Sequence, residues 1–451
     1  MTGRTAPTIA TPTTAADATD RRHFRHTLAN GLRVVVEEDR RLPLVAVNLR
    51  YDVGSRDERP GLTGFAHLFE HVMFEGSAGV KAGEHFELLQ AAGATLNATT
   101  SFDRTTYYET IPTSHLELAL WLEADRMGSL DLTAETFDNQ REVVKNEKRQ
   151  RYDNQPYGDT IQHLHAAAYP DRHPYRHLPI GSMADLDAAS LEDARSFHRD
   201  WYGPNNCVLS IVGDLDADHA TALVERYFGG IPGHPHVPDR RAPHLPPALD
   251  EPVRAEVHAD VPAPQLTIGI RVPRNHEDRG HDAVDVLARA LGSGRGSRLF
   301  RALVVDRQLI QPEHAIVRCE HLHAHATLLV LKVRARSGVD VADIEAAIES
   351  VLAEVAAAGI TPDELRRVQV TGLRGFHASM ATVTARADRY GKAVTEHDHL
   401  IHAFDTPARL EDLSLQDVAE AASRWLKPEN RAIVTHLPSS EAHAWEVNTS
   451  A

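Results

Sequence analysis

The sequence predicts an α+β protein built from two diverged copies of one unit, and three observations carry that expectation. At 451 residues the chain exceeds the size at which one hydrophobic core stops growing. The order of its elements restarts after a stretch dense in Pro and Gly, "GGIPGHPHVPDRRAPHLPPALDEP". On either side of it, "LTAETFDNQREVVKNE" and "ITPDELRRVQVTGLRG" share an outline, a Thr-led start followed by a long amphipathic helix. The expected layout is a disordered leader over residues 1–22, a first domain over 23–232, a linker over 233–255, a second domain over 256–440 and a tail over 441–451.

Within the first copy, "NGLRVVVEED" and "LPLVAVNLRYDVGS" read as two strands joined by a charged turn. "GATLNATTSFDRTTYYETI" alternates and is rich in Thr and Tyr, which suits a β-hairpin. Helices are expected over Thr113 to Gly128 and Thr133 to about Tyr152, where "RYDNQPYG" forms a C-terminus and turn stopped by Pro156. "NNCVLSIVGDLD" is an apolar strand, followed by the helix "DADHATALVERYF". In the second copy "PQLTIGIRVP" and "ATLLVLKVRARSG" read as strands. "DAVDVLARALGSG", "DVADIEAAIESVLAEVAAAG" and "TPDELRRVQVTGLRGF" read as helices, and "RAIVTHLP" as a closing strand.

Composition narrows the function classes. A formal net charge of −16, with no dense Lys/Arg run, argues against nucleic acid or an anionic membrane as partner. It weakly favours peptides that carry basic residues. The two cysteines, Cys207 and Cys319, lie in no CxxC spacing, which argues against a disulfide framework and a thiolate zinc site. No apolar run reaches the length of a membrane span, and the start lacks an apolar signal core, so a cytoplasmic protein is expected. "GSGRGS" lacks the Lys-Ser/Thr of a phosphate loop.

The chemistry concentrates in "GLTGFAHLFEHVMFEGS". With His67 at 0° and about 100° per residue, His71 falls near 40° and Glu70 near 300°. Phe65, Leu68, Phe69, Val72 and Met73 fall in an arc of roughly 100° to 240°, and only Phe74 breaks the pattern. Imidazoles at i and i+4 can share one Zn²⁺, and a carboxylate in the same turn can accept a proton from the water it activates. The order His-x-x-Glu-His inverts the more familiar zinc-peptidase order. A solvated helix that happens to carry two His and a Glu is the alternative. Glu147 offers a third ligand, since it lies between Val143 and Val144 on the wheel with Gln140 two turns earlier on its face. A carboxylate in an apolar stripe needs a compensating cation, either Zn²⁺ or a nearby Arg.

These residues, together with "GATLNATTSFDRTTYY", "HPYRHLPIGS", "FHRDWYGPNNCVLSIVGDLD" and "GSGRGSRLF", give the chain after its leader a resemblance to the pitrilysin-type inverzincin peptidases. That family includes mitochondrial processing peptidase, insulin-degrading enzyme and smaller bacterial relatives. Its third ligand lies about three-quarters of a hundred residues past the second His, and here 147 − 71 = 76. The resemblance implies two homologous domains, each an antiparallel-rich mixed sheet packed with helices, forming half of a clam-like peptidase chamber. It implies one Zn²⁺ per chain held by His67, His71 and Glu147, Glu70 as general base, and a strand at Asn97, Ala98 and Thr99 that pairs with an extended peptide.

Two departures qualify it. Where the family often has a second Glu, seven residues before the third ligand, this chain has Gln140, which can hydrogen-bond behind the ligands but adds no charge. Where complete members hold substrate with an Arg and, seven residues later, a Tyr, this chain has Val304 and Gln311. The resemblance then points to a heterodimer with a homologous zinc-less chain that supplies the Arg/Tyr pair, a homodimer being the alternative. A non-catalytic peptide-binding or assembly subunit is the rival reading of function. "CEHLHAHA" places His321, His323 and His325 on one face of an expected strand, better read as a solvated face than as a second metal site. "EHDHLIH", Glu396 to His402, reads as helix surface near a loop.

Overall fold

Ser190 and Ser414 begin the same local structure, 414 − 190 = 224 residues apart. Each caps a helix with a capping box, to Asp193 and Asp417 respectively. Each helix ends at a Trp, and an Asn five residues later returns to that Trp carbonyl: Asn206 Nδ2 donates to Trp201 O at 2.8 Å and Asn430 Nδ2 to Trp425 O at 3.0 Å. A strand follows in both cases, Cys207–Gly213 and Ala432–Pro438, the first buried throughout and the second over most of its length. The chain is therefore a repeat at the level of hydrogen bonds as well as outline.

The computed structural model describes residues 22–234, 245–274 and 279–439. The expected leader before Arg22, residues 235–244 of the expected linker and the tail 441–451 lie outside the described residues. The strands are β1 (Arg22–Thr27), β2 (Arg33–Glu38), β3 (Leu44–Tyr51), β4 (Thr95–Thr100), β5 (Thr105–Pro112), β6 (Cys207–Gly213), β7 (Val253–Ala259), β8 (Gln265–Val272), β9 (Ile310–Cys319), β10 (Thr327–Ala335) and β11 (Ala432–Pro438). The helices are α1 (Phe65–Val72), α2 (Glu84–Ala91), α3 (Leu116–Ser129), α4 (Ala134–Lys148), α5 (Thr160–Ala168), α6 (Met183–Ala188), α7 (Leu191–Trp201) and α8 (Ala217–Phe228). They continue with α9 (Arg279–Gly292), α10 (Arg298–Phe300), α11 (Val341–Ala358), α12 (Pro362–Ser379), α13 (Val383–His397), α14 (Thr406–Glu411) and α15 (Leu415–Trp425).

Two compact units result, interleaved along the chain: 1–144 with 179–241 and 375–406, and 145–178 with 242–374 and 407–451. The first unit holds a sheet ordered β1-β2-β6-β3-β5-β4, in which only β2 and β6 run parallel. The second holds β7-β11-β8-β10-β9, in which only β7 and β11 run parallel. Without β1, the two orders and directions coincide strand for strand. Both sheets are mixed and antiparallel-rich, as expected, and their central strands β6 and β8 are buried along their whole length.

The interleaving has a packing cause. In the first unit, α13 covers the sheet: Ala387, Tyr390, Ala393 and Val394 join Val35, Ala46, Val208 and Val212 in one buried cluster. Arg386 on α13 is fully buried and donates through Nε to Glu37 Oε1 at 2.9 Å, and through Nη2 to Asp39. Burial alone would raise the Glu37 carboxyl. Bonds from His23 and Tyr390 and the Arg386 charge outweigh it and hold the group below its usual range. In the second unit, α5 covers the sheet in the same manner, with Leu164 against Gly269, where an added Cβ would stand 3.0 Å from Leu164 Cδ1. Helices α9, α11 and α15 supply that unit's main core.

Some elements differ from expectation. Thr113–His115 is a 3₁₀ turn, and the α-helix runs from Leu116 to Ser129. Past Lys148, α4 widens into a π-helical turn, Arg149–Asp153, before the turn at Pro156. Strand β7 begins at Val253, inside the span the sequence assigns to a linker. His321, His323 and His325 lie in the loop between β9 and β10, because the ladder ends at Cys319.

Candidate metal centre

Helix α1 is short, and its entry is built with care. Gly64, at φ +99°, caps it in a left-handed conformation and approaches Ile180 O so closely that an added Cβ would stand 3.1 Å from it. Glu58 supplies the acceptor that a glycine cap lacks: its carboxylate takes Gly64 N–H at 2.9 Å and Ala66 N–H at 2.8 Å. A negative charge at that end also complements the helix dipole. Phe65, Leu68, Phe69 and Val72 are buried, each worth about 1.5–3 kcal/mol. Phe65 and Phe69 pack on Phe197, and Phe69 on Tyr202. The apolar side predicted by the wheel is thus the docked side. Phe74 does not break it, because α1 ends at Val72 and the chain turns Phe74 inward against Phe86, Tyr107 and Arg126.

His67, Glu70 and His71 are half-buried on the opposite side. The division between the two units falls inside α4, which is nonetheless one continuous helix. His67, His71 and Glu147 each offer one ligand atom, and the three atoms lie within 4.8 Å of one another. Among the described residues no other group of three His, Cys, Asp or Glu does so. Two imidazoles and one carboxylate are a donor set suited to zinc with an open position. The stripe on α4 is Phe137, Gln140, Val144 and Glu147; Val143, expected within it, is 44% exposed. Glu147 Oε1 also accepts from Arg151 Nη1 at 2.7 Å, so the Arg partner considered as the alternative to a metal is present as well. The π-helical turn after Lys148 places that arginine.

Around these three residues the structure adds others that the motif does not show. Gln140 Nε2 donates to Glu75 Oε1 at 2.7 Å, and burial pushes the Glu75 carboxyl up while His71 acts the other way. Thr100 Oγ1 donates to Glu70 Oε2 at 2.5 Å. Tyr107 donates to the Phe69 carbonyl at 2.8 Å. Glu75 sits four residues after His71, a spacing that could have flagged it; Thr100 and Tyr107 needed the strand register.

Asn97, Ala98 and Thr99 lie on β4, the edge of the first sheet, paired only with β5 among the described strands. Ser101 N–H bonds Arg104 O at 2.9 Å, and by alternation along the register this turns the N–H and C=O of Leu96, Ala98 and Thr100 to the open edge. Asn97 Oδ1 accepts the Ala98 N–H at 2.8 Å. Val304 is half-buried against the second unit's core, and Gln311 is exposed on the edge strand β9. His325 packs edge-on to His173 and Tyr175, and His281 Nε2 lies 3.3 Å from His321 Nδ1.

Residues 33–178 match the family described as Insulinase (Peptidase family M16), and residues 188–370 match the Peptidase M16 inactive domain. The zinc protease PqqE of Helicobacter pylori is 30% identical over 413 residues, 90% of each chain. The chain belongs to peptidase family M16. An uncharacterized zinc protease of Mycobacterium tuberculosis is also 30% identical, over 89% of this chain and 90% of its own length. The crystal structure of a protease from Helicobacter pylori superposes with a TM-score of 0.86 at 28% identity, covering 92% of this chain and all of that one. A probable mitochondrial-processing peptidase subunit beta of Schizosaccharomyces pombe, another M16 relative, is 29% identical over 46% of this chain. No helix among the described residues is long and apolar enough to cross a membrane.

Proposed function

We propose that this M16 chain is a zinc metalloendopeptidase subunit that hydrolyses peptides or unfolded segments. The observation that carries this reading is the convergence of His67, His71 and Glu147 beside Glu70, which is itself hydrogen-bonded to the sheet edge through Thr100. The names of its relatives agree. Zinc in such a site supplies Lewis-acid activation of a water molecule and of the scissile carbonyl. The protein's own residues do the remainder. An extended peptide adds to β4 through the outward groups of Leu96 and Thr100 and the Ala98 carbonyl, the Ala98 N–H being held by Asn97 Oδ1, so recognition runs largely through backbone and tolerates varied side chains. Glu70 accepts the proton of the attacking water at its carboxylate and passes it to the leaving amine. Thr100 fixes the carboxylate rotamer by donating to Oε2. Gln140 and Glu75 brace each other behind the ligands.

With Val304 and Gln311 where other members carry Arg and Tyr, the reading includes a homologous partner chain that lacks the zinc motif and completes the substrate contacts. A cytoplasmic location remains part of this reading.

Elemental analysis and peptide cleavage test it together. One zinc per chain is expected in the parent and in Glu70→Gln, with cleavage lost about 10²- to 10⁴-fold in the latter. Stoichiometric, tightly held zinc in both His71→Ala and Glu147→Ala would overturn the ligand assignment. Parental cleavage by zinc-loaded Glu70→Gln would overturn the base. The rival, a subunit that binds peptide without turnover, predicts no cleavage by the parent even with its partner.

A further inference from the structure

Arg104 closes the hairpin between β4 and β5, and among the described residues no carboxylate forms an ion pair with it. Its Nη1 donates to Thr99 O at 2.6 Å and to Thr99 Oγ1. Nε and Nη2 have no hydrogen-bond partner among the described residues, and no carboxylate there lies within ion-pair distance of Arg104. The neighbouring guanidinium, Arg50, is buried and already engaged, at 3.2 Å by Glu396 and 3.7 Å by Asp388. Burial, and then the Arg50 charge, lower the Arg104 pKa to about 10, while Asp388, Glu70 and Tyr108 act in the opposite sense. A guanidinium held in that setting gains from any anion that can reach its free donors.

What can reach it follows from the register. On β4, Thr100 faces α1 and Glu70, whereas Thr99 and Asn97 face the other side of the sheet, where Arg104 is anchored. Side chains of a peptide added to this edge alternate in the same way. Those on one side approach α1, and their immediate neighbours approach Arg104.

We propose that Arg104 is a specificity-determining residue that receives the carboxylate of an Asp or Glu in the substrate peptide, at a position adjacent to one facing α1. The proposal rests on the peptidase reading and runs against the weak preference for basic peptides that the net charge alone suggests. The long-range field acts on the whole peptide, whereas Arg104 acts on one side chain at contact.

The test uses the full zinc-loaded chain and fluorescent peptides in which Asp, Asn, Ala or Lys is scanned through the positions around the cleaved bond. Asp at one position is expected to raise kcat/KM roughly tenfold over Asn, the scale of a charge-assisted hydrogen bond. R104Q should erase that ratio, R104K should keep part of it, and R104E should shift the preference to Lys. Zinc content and melting temperature of each variant report whether the fold is intact. No acidic preference in the parent, or an undiminished one in R104Q, overturns the proposal. If no peptide is cleaved even when the homologous partner chain is added, the peptidase reading fails separately, and anisotropy of the same peptides still decides the matter. Tighter binding of the Asp peptide, lost in R104Q, supports the proposal, and equal binding overturns it.

Discussion

The hydroxyl of Tyr107 donates to the carbonyl of Phe69, 2.8 Å away, one residue before Glu70. Tyr107 is also the register partner of Ala98 on the edge strand, and Arg126 lies over its ring at 4.4 Å. One side chain thus links the strand proposed to bind peptide to the helix that carries Glu70, the proposed base. Tyr107→Phe removes only the hydroxyl. Because Met73 N–H still reaches the Phe69 carbonyl at 3.2 Å, the stability cost should be about 1 kcal/mol or less. We expect kcat to fall several-fold with KM and zinc content near parental values, measured by steady-state kinetics and elemental analysis.

Thr100→Val should act on the other side of Glu70. The isostere keeps the strand but removes the donor 2.5 Å from Oε2. Turnover should drop, and the acidic limb of the pH–rate profile should shift upward, because a carboxylate that loses a hydrogen bond is easier to protonate. An unchanged profile would show that Thr100 does not orient the base.

Arg386→Met should be among the most damaging single substitutions away from the His67, His71 and Glu147 cluster. It leaves Glu37 and Asp39 buried without their shared cation, at a cost of about 3–5 kcal/mol. Adding Glu37→Gln to the same chain should recover part of the loss. Chemical denaturation of the three proteins checks both statements.

Acid should loosen the first unit before its carboxylates titrate. Burial, and then the Arg126 charge, hold His85 neutral, with its pKa lowered to about 2. Its unfolded value is near 6.5, so the native state forgoes protons that the unfolded chain binds. Stability is complete above pH 6.5 and declines as the pH falls through the window below it. By pH 5 this one residue costs about 2 kcal/mol. His85→Leu should flatten the pH dependence of the denaturation midpoint over that window.

On the proposed heterodimer reading, isolated chain should cleave slowly for its zinc content, because Val304 and Gln311 stand where that reading needs an Arg and a Tyr to hold the peptide. Adding a homologous chain that carries the pair should raise the rate without adding metal. Full activity in the pure protein, unchanged by any partner, would contradict this.

The helix of His67, Glu70 and His71 was legible because its polar and apolar residues separate at a period of 3.6, and the docked side is the predicted one. The hairpin β4–β5 was legible from its alternation, and the repeat from the restarted element order. Less could be read where a tertiary partner decides the outcome. Strand β1, "RHFRHT", is polar and gains its place from pairing with β2. Helix α13 docks through Arg386, whose partners Glu37 and Asp39 lie some 350 residues earlier, so no local pattern marks it as a sheet-covering helix. Val143 was assigned to the stripe with Val144, but the side of α4 that docks runs through Phe137, Gln140 and Glu147. The histidines at 321, 323 and 325 alternate like a strand, yet the ladder stops at Cys319, and no spacing rule marks where pairing ends.

The position of α13 has a bearing on biosynthesis. Residues of β2, β3 and β6 are made long before Val383–His397, the segment that shelters Val35, Ala46, Val208 and Val212. A nascent chain stalled at residue 234 would present that apolar surface to the solvent of the ribosome exit, so the amino-terminal half cannot mature as it emerges. A chaperone able to hold an open sheet during that interval is a natural requirement of its expression. A recombinant fragment covering only residues 23–232 should be recovered in inclusion bodies unless residues 375–406 are supplied alongside it.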